Sequence, residues 1–213
     1  MRLTFSKTGR ARFISHLDLM KVFQRAFYRA ELPLKYSQGF NPHAYVSIAL
    51  PLSVGQAGLC EQLDMGVSGP VDTQALPELL NGLLPEGIAV LTAAYGGFPI
   101  KDIVWARYDM EFETDAAPET FLQMFAAPLI VEKRTKKGSA PTDLLPMIKS
   151  YSCAAVDAES GASRGLRAVM ELAAQNPTLN PDYITAAFAR TLGEDVSASI
   201  ARTAFLDAAG AIL

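Results

Sequence analysis

The chain is poor in the residues that most reactive sites are built from. It has two cysteines and two histidines in 213 residues. Cys60 and Cys153 are far apart and match no metal or redox spacing, so they are read as reduced, half-buried small hydrophobes. No apolar run approaches the roughly 20 residues of a membrane helix. The opening "MRLTFSKTGR" has no apolar core, and nothing in it points to export. There is no GxxxxGK[ST] phosphate loop, no GxGxxG after a strand and no GxSxG elbow. "AYGGF" reads as a turn and not as a nucleotide loop. No cofactor is expected, no metal, and no membrane partner.

What the chain does have is an uneven charge. Its formal net charge is −3. Residues 1–45 nevertheless hold eight Lys and Arg against Asp18 and Glu31, a balance of +6, and the remaining 168 residues hold eleven against twenty, a balance of −9. Such asymmetry points to an anionic partner at one end of the chain.

The hydrophobic pattern gives the architecture. "MRLTFSKTGRARF" alternates as a strand and turns at Thr8–Gly9. "SHLDLMKVFQRAFYRAELP" follows with helical period, with Leu17, Met20, Phe23, Phe27 and Ala30 assigned to the buried face. Ser15 is its N-cap, Asp18 completes a variant capping box, and Pro33 ends the run. "YVSIALPLS" and "LCEQLDMGV" are strands, "DTQALPELLNGLLP" a helix opening at Asp72, and "GIAVLTAAY" a strand. That order, β-α-β-β-α-β, is the signature of a ferredoxin-like unit.

The second half repeats the order loosely. "VWARYDMEFET" is a strand, and "APETFLQMFAA" a helix whose Phe121, Met124 and Phe125 belong to the core. "LIVEKRTKK" is a strand entering a basic turn, "DLLPMIKSYSCAAV" and "RGLRAVMELAA" are paired, "NPDYITAAFARTL" is a helix with Asn180 at N-cap and Pro181 at N1, and "ASIARTAFLDA" is a closing strand. The expected fold is α+β, two tandem ferredoxin-like (βαββαβ) units over residues 1–98 and 99–213, joined through "YGGFPIKDI".

Three constellations are candidates for function. Lys21, Arg25 and Arg29, spaced i, i+4, i+8, form a basic stripe on the first helix. Lys7, Arg10 and Arg12 precede that helix, whose N-terminus adds free N–H groups and a partial positive charge. Lys133, Lys136 and Lys137, with Arg134, form a second basic cluster. Cations of this kind seat phosphates, although a solvated charged helix face has the same composition. His16 and His43 stand at loop–element junctions. They are open to three readings: acid and base on an RNA phosphodiester, metal ligands together with Asp18, or structural residues, with His16 hydrogen-bonded at the helix start and "GFNPH" a rigid turn set by Asn41–Pro42.

The phrases "FSKTGRARFISHLDLMKVFQRAF", "LPLKYSQGFNPHAYVSIALPLSVG", "EKRTKKG" with "TDLLPMI", and the late "ARTAF" resemble the radical-SAM-linked domain of unknown function. The resemblance covers essentially the whole chain and is densest in its first 55 residues. It implies a cytoplasmic accessory that cooperates with a cobalamin-binding radical SAM enzyme in an RNA-related or ribosomal setting. It implies no activity. Two distant cysteines cannot supply the thiolates of a four-iron cluster, so this chain is not itself the radical enzyme.

Together these readings predict a non-enzymatic accessory that binds RNA, or an RNA–protein substrate, through Lys7, Arg10, Arg12, His16, Lys21, Arg25, Arg29, Asn41, His43, Lys133, Lys136 and Lys137. The alternatives are a docking module for the radical SAM partner without RNA, and a His-dependent endoribonuclease.

Overall fold

The structure is a computed structural model that describes residues 1–135, 138–156 and 165–213. The fold is mixed α+β, with four α-helices among the described residues, and the chain divides into two compact units, Met1–Lys101 and Asp102–Leu213.

In the first unit, β1 (Arg2–Lys7) is followed by a 3-10 helix (Gly9–Phe13), α1 (His16–Arg29), β2 (Val46–Ile48), β3 (Ala57–Met65), α2 (Leu76–Asn81) and β4 (Ile88–Ala94). The strands lie in the order β4-β1-β3 with β2 on β3, and every one of these pairs is antiparallel. The alternation of β1 is strict: Leu3, Phe5 and Lys7 are buried, and Arg2, Thr4 and Ser6 are less so. The strand ends at Lys7, and the residues after the Thr8–Gly9 turn are not extended. Gly9 takes φ +52 and opens the 3-10 helix instead. Thr8 N–H donates to the Gly87 carbonyl at 2.7 Å, and a Cβ on Gly87 would lie 2.5 Å from the Thr8 oxygen, so only glycine allows that approach.

Helix α1 starts as its sequence indicates. The Ser15 hydroxyl accepts from Asp18 N–H at 3.2 Å and donates to the Asp18 carboxylate at 2.8 Å. Its buried face is Leu19, Phe23, Ala26 and Phe27. Phe23 meets Phe5 edge-on at 4.8 Å between ring centroids, and Phe27 lies 5.8 Å from Phe23. Leu17 corrects the expected face: it is 70% exposed. At 100° per residue Leu17 lies about 120° around the helix from Phe23, because each i+3 step from 17 to 23 rotates the stripe by about 60°. In α2, Pro77 stands within the first turn, and the Asp72 carboxylate accepts from Gln74 and Ala75 N–H just before it.

The second unit contains β5 (Trp105–Glu113), α3 (Pro118–Gln123), β6 (Ile130–Thr135), β7 (Gly138–Asp143), β8 (Ile148–Val156), β9 (Gly165–Ala173), α4 (Asp182–Leu192) and β10 (Ala198–Leu206). Strand order is β10-β5-β9-β8, antiparallel throughout, with β6 and β7 paired separately. Its core gathers Phe112, Phe121 and Phe188, with centroids 5.1–5.4 Å apart. Phe121, Met124 and Phe125 are buried as expected. The cap of α4 is one residue later than the sequence suggested: Pro181 is the N-cap, and the Asn180 side chain accepts from Asp182 N–H at 3.1 Å.

The two assignments on α1 are distinguished by stability. Phe23→Ala is expected to lower unfolding free energy by about 3–5 kcal/mol, and Leu17→Ala to change it by less than about 0.5 kcal/mol, read from urea midpoints. Equal effects at the two positions would contradict the face described here.

Candidate nucleic-acid interface

The solvent side of α1 follows from its buried side. With Phe23 and Phe27 turned to the sheet, Leu17, Asp18, Lys21, Arg25, Tyr28 and Arg29 are exposed. Lys21 is partly neutralised by Asp18, at 3.1 Å. The Asp18 carboxyl is held below its ordinary range, first by the Ser15 hydroxyl and then by Lys21. Among the described residues, the side chains of Arg25 and Arg29, of Arg10 on the 3-10 helix and of Lys35 beyond α1 have no hydrogen-bond or ion-pair partner; all four are exposed. Arg12 is half-buried, with its guanidinium 4.9 Å from the centre of the exposed Phe13 ring.

Lys7 does not belong to this surface. It is 3% exposed, and its ammonium donates to the Arg12 carbonyl at 3.2 Å, the same oxygen that receives Gly55 N–H at 2.9 Å. Lys7 therefore pins the end of the 3-10 helix. It also lines a small cavity of about 10 Å³ with His16, Leu19, Ile48, Pro51, Leu52 and the buried Glu61. A buried lysine is tolerated where opposite charge and hydrogen bonds offset its lost hydration, and Glu61 brings that charge to the same cavity.

The histidines are separated. His16 lies in the first turn of α1, and its Nδ1 is buried with no hydrogen-bond partner, which corrects the expected bond at the helix start. His43 lines a different, open cleft of about 380 Å³, together with Tyr45, Ser47 and Asp64. There its Nδ1 is 2.9 Å from the Ser37 hydroxyl, which also accepts from His43 N–H at 3.1 Å. Asp64 is engaged by Arg2 at 2.6 and 2.8 Å. No group of three or more His, Cys, Asp and Glu placed to hold a metal occurs among the described residues.

The "GFNPH" turn is the tip of a small hairpin. Tyr36 bridges Ala44, Ser37 N–H donates to the His43 carbonyl, and Tyr45 N–H donates to the Lys35 carbonyl. Asn41 and His43 are exposed there, and Phe40 at the tip is fully exposed. Sequence reasoning missed these rings: Phe13, Tyr28, Tyr36, Phe40 and Tyr45 are five of the seven exposed aromatic side chains among the described residues. The available signal was Tyr28, placed three residues after Arg25 on the polar side of α1.

In the second unit Lys133 is committed, donating to the Thr178 carbonyl at 2.5 Å. Lys136 and Lys137 lie outside the described residues, as does the side chain of Arg134. Both cysteines are free and half-buried. Burial, and then the charge of Glu119, pushes the Cys153 thiol up to about 11, which favours its protonated form at neutral pH.

Fold and surface thus define an α+β protein whose first unit carries exposed cations and aromatic rings on the 3-10 helix, on α1 and on the Lys35–Tyr45 hairpin. The chain belongs to the DUF2344 family, uncharacterized proteins conserved in bacteria, whose match covers residues 1–181. A comparison with curated proteins finds no match. Among solved structures it is similar to an unknown protein from Galdieria sulphuraria at 12% identity and a TM-score of 0.26, over 94% of this chain and 96% of that one. A likeness at that level carries no functional inference. No helix among the described residues is long and apolar enough to cross a membrane.

Lys7→Ala is expected to cost about 1–3 kcal/mol of stability through the lost bond to the Arg12 carbonyl, and Arg10→Ala less than about 0.5 kcal/mol. Urea midpoints of the two variants check this, and a neutral Lys7→Ala would return Lys7 to the surface.

Proposed function

We propose that this protein is a non-catalytic accessory that binds RNA through the outer face of α1, the preceding 3-10 helix and the Lys35–Tyr45 hairpin. The observation that carries the reading is the set of four exposed cations whose side chains have no partner among the described residues: Arg10, Arg25, Arg29 and Lys35. An isolated soluble domain gains solubility from such charges, but it also tends to intersperse both signs. Here the only acidic residues of the first 45 are Asp18 and Glu31, and Asp18 is already engaged by Lys21. The two units are read as ferredoxin-like. Strand order β4-β1-β3-β2 in the first and β10-β5-β9-β8 in the second, each threaded by two helices, supports that reading. The second unit carries the β6–β7 hairpin as an insertion. The served enzyme is proposed to be a separate radical SAM protein, on the strength of the motifs in residues 5–27 and 32–55.

The test is a salt titration of binding to a fluorescently labelled RNA stem-loop with a single-stranded tail. The full chain is compared with the triple variant Arg10→Gln, Arg25→Gln, Arg29→Gln. Three lost phosphate contacts are expected to flatten the dependence of log K on log salt by about 2–3 and to weaken binding at every salt concentration. An unchanged slope and affinity would overturn the surface. A radical SAM protein retained by the tagged chain after ribonuclease, with no RNA recovered, would replace it with a protein-docking role.

A further inference from the structure

Resting on that reading, we infer that the basic face takes an unpaired nucleic-acid strand rather than a duplex. Phosphates alone do not distinguish the two, since both present the same charge to Arg and Lys. The aromatic residues do. Phe40 stands fully exposed at the tip of the Lys35–Tyr45 hairpin, and Tyr28 is 80% exposed on α1 between Arg25 and Arg29. Phe13 is 59% exposed with the Arg12 guanidinium against its face. A duplex hides its base faces inside the stack and leaves such rings nothing to stack on. An unpaired strand offers one base face per nucleotide, and ring–base stacking is indifferent to sequence.

The placement of the rings separates this surface from an ordinary protein-docking patch. A docking patch is contiguous and apolar at its centre. Here one exposed ring, Tyr28, stands among the cations on the outer face of α1, and Phe13 and Phe40 are exposed on the 3-10 helix before it and the hairpin after it. From Leu17 to Arg29 that face runs about 18 Å, at about 1.5 Å per residue, with Lys21, Arg25 and Arg29 spaced one turn apart beside Tyr28. The hairpin adds Lys35 and Phe40, again one cation and one ring. Exposed rings in this number carry a hydration cost that a binding partner would relieve.

Fluorescence anisotropy with the full chain tests the inference on three probes: a 12-nucleotide polyuridine RNA, an RNA duplex of the same length, and a 12-nucleotide polythymidine DNA. The single-stranded RNA is expected to bind at least tenfold tighter than the duplex. Phe40→Ala and Tyr28→Ala, both at exposed positions, are each expected to weaken it about five- to a hundredfold without changing the salt slope or duplex affinity. Circular dichroism confirms that both variants fold. Equal affinity for single strand and duplex, or no loss in either variant, would overturn the inference while leaving RNA binding in place. Failure of both RNA probes to bind at low salt would overturn RNA binding as well. The DNA probe separates two sources of the same chemistry. Equal RNA and DNA binding assigns recognition to stacking and phosphate, RNA preference adds the 2′-hydroxyl, and binding of DNA alone overturns the assignment to RNA.

Discussion

The packing of Phe23 of α1 against Phe5 of β1, with Phe27 beside Phe23, is the contact on which the surface of the first unit depends. These rings are fully buried, and they fix the rotation of a helix 14 residues long. Once that rotation is set, geometry leaves no freedom about what faces water. Arg25, Tyr28 and Arg29 are on the outside because Phe23, Ala26 and Phe27 are on the inside. The α1 part of the proposed interface is therefore a by-product of core packing.

A second clamp orients the approach to the helix. The Arg12 carbonyl receives both the Lys7 ammonium and Gly55 N–H, and Thr8 N–H is tied to the Gly87 carbonyl. The 3-10 helix is thus held at both ends, which leaves Arg10 exposed and sets Arg12 against Phe13. Burying an ammonium to achieve this is expensive unless it is compensated, and the chain places Glu61 in the same cavity. His16 closes that cavity from the helix side. The basic residues near the N-terminus consequently serve two purposes: Lys7 builds the scaffold, and Arg10, Arg25, Arg29 and Lys35 remain available to a ligand.

Much of this was legible in the sequence, and the rest was obscured for identifiable reasons. The Ser15–Asp18 cap, the turn at Gly9 and the order of strands and helices in the first unit were read from local signals that tertiary packing did not override, whereas β7 of the second unit was not expected. Leu17 was misplaced because a chain of i+3 steps drifts around a helix. Lys7 was read as a surface cation, although the alternation Leu3, Phe5, Lys7 already put it on the inner side of β1, and Glu61 shares the inner side of β3 with Leu63 and Met65. Charge type outweighed periodicity in that reading, and periodicity was the better guide. The exposure of Phe40 had no sequence signal, because "GFNPH" marks a turn without saying which way its ring points. Lys133 had none either: its bond to the Thr178 carbonyl joins residues 45 apart in the chain.

The central claim is that an RNA strand lies on the first unit, across α1 and the Lys35–Tyr45 hairpin. Ultraviolet cross-linking of the tagged protein in the cells that produce it, followed by mass spectrometry of the nucleotide-bearing peptides, tests this most directly. The account predicts adducts on peptides covering residues 10–45, centred on Phe13, Tyr28 and Phe40. Adducts confined to peptides of the second unit, or a complete absence of RNA adducts beside a protein partner captured by chemical cross-linking through the same residues, would contradict it.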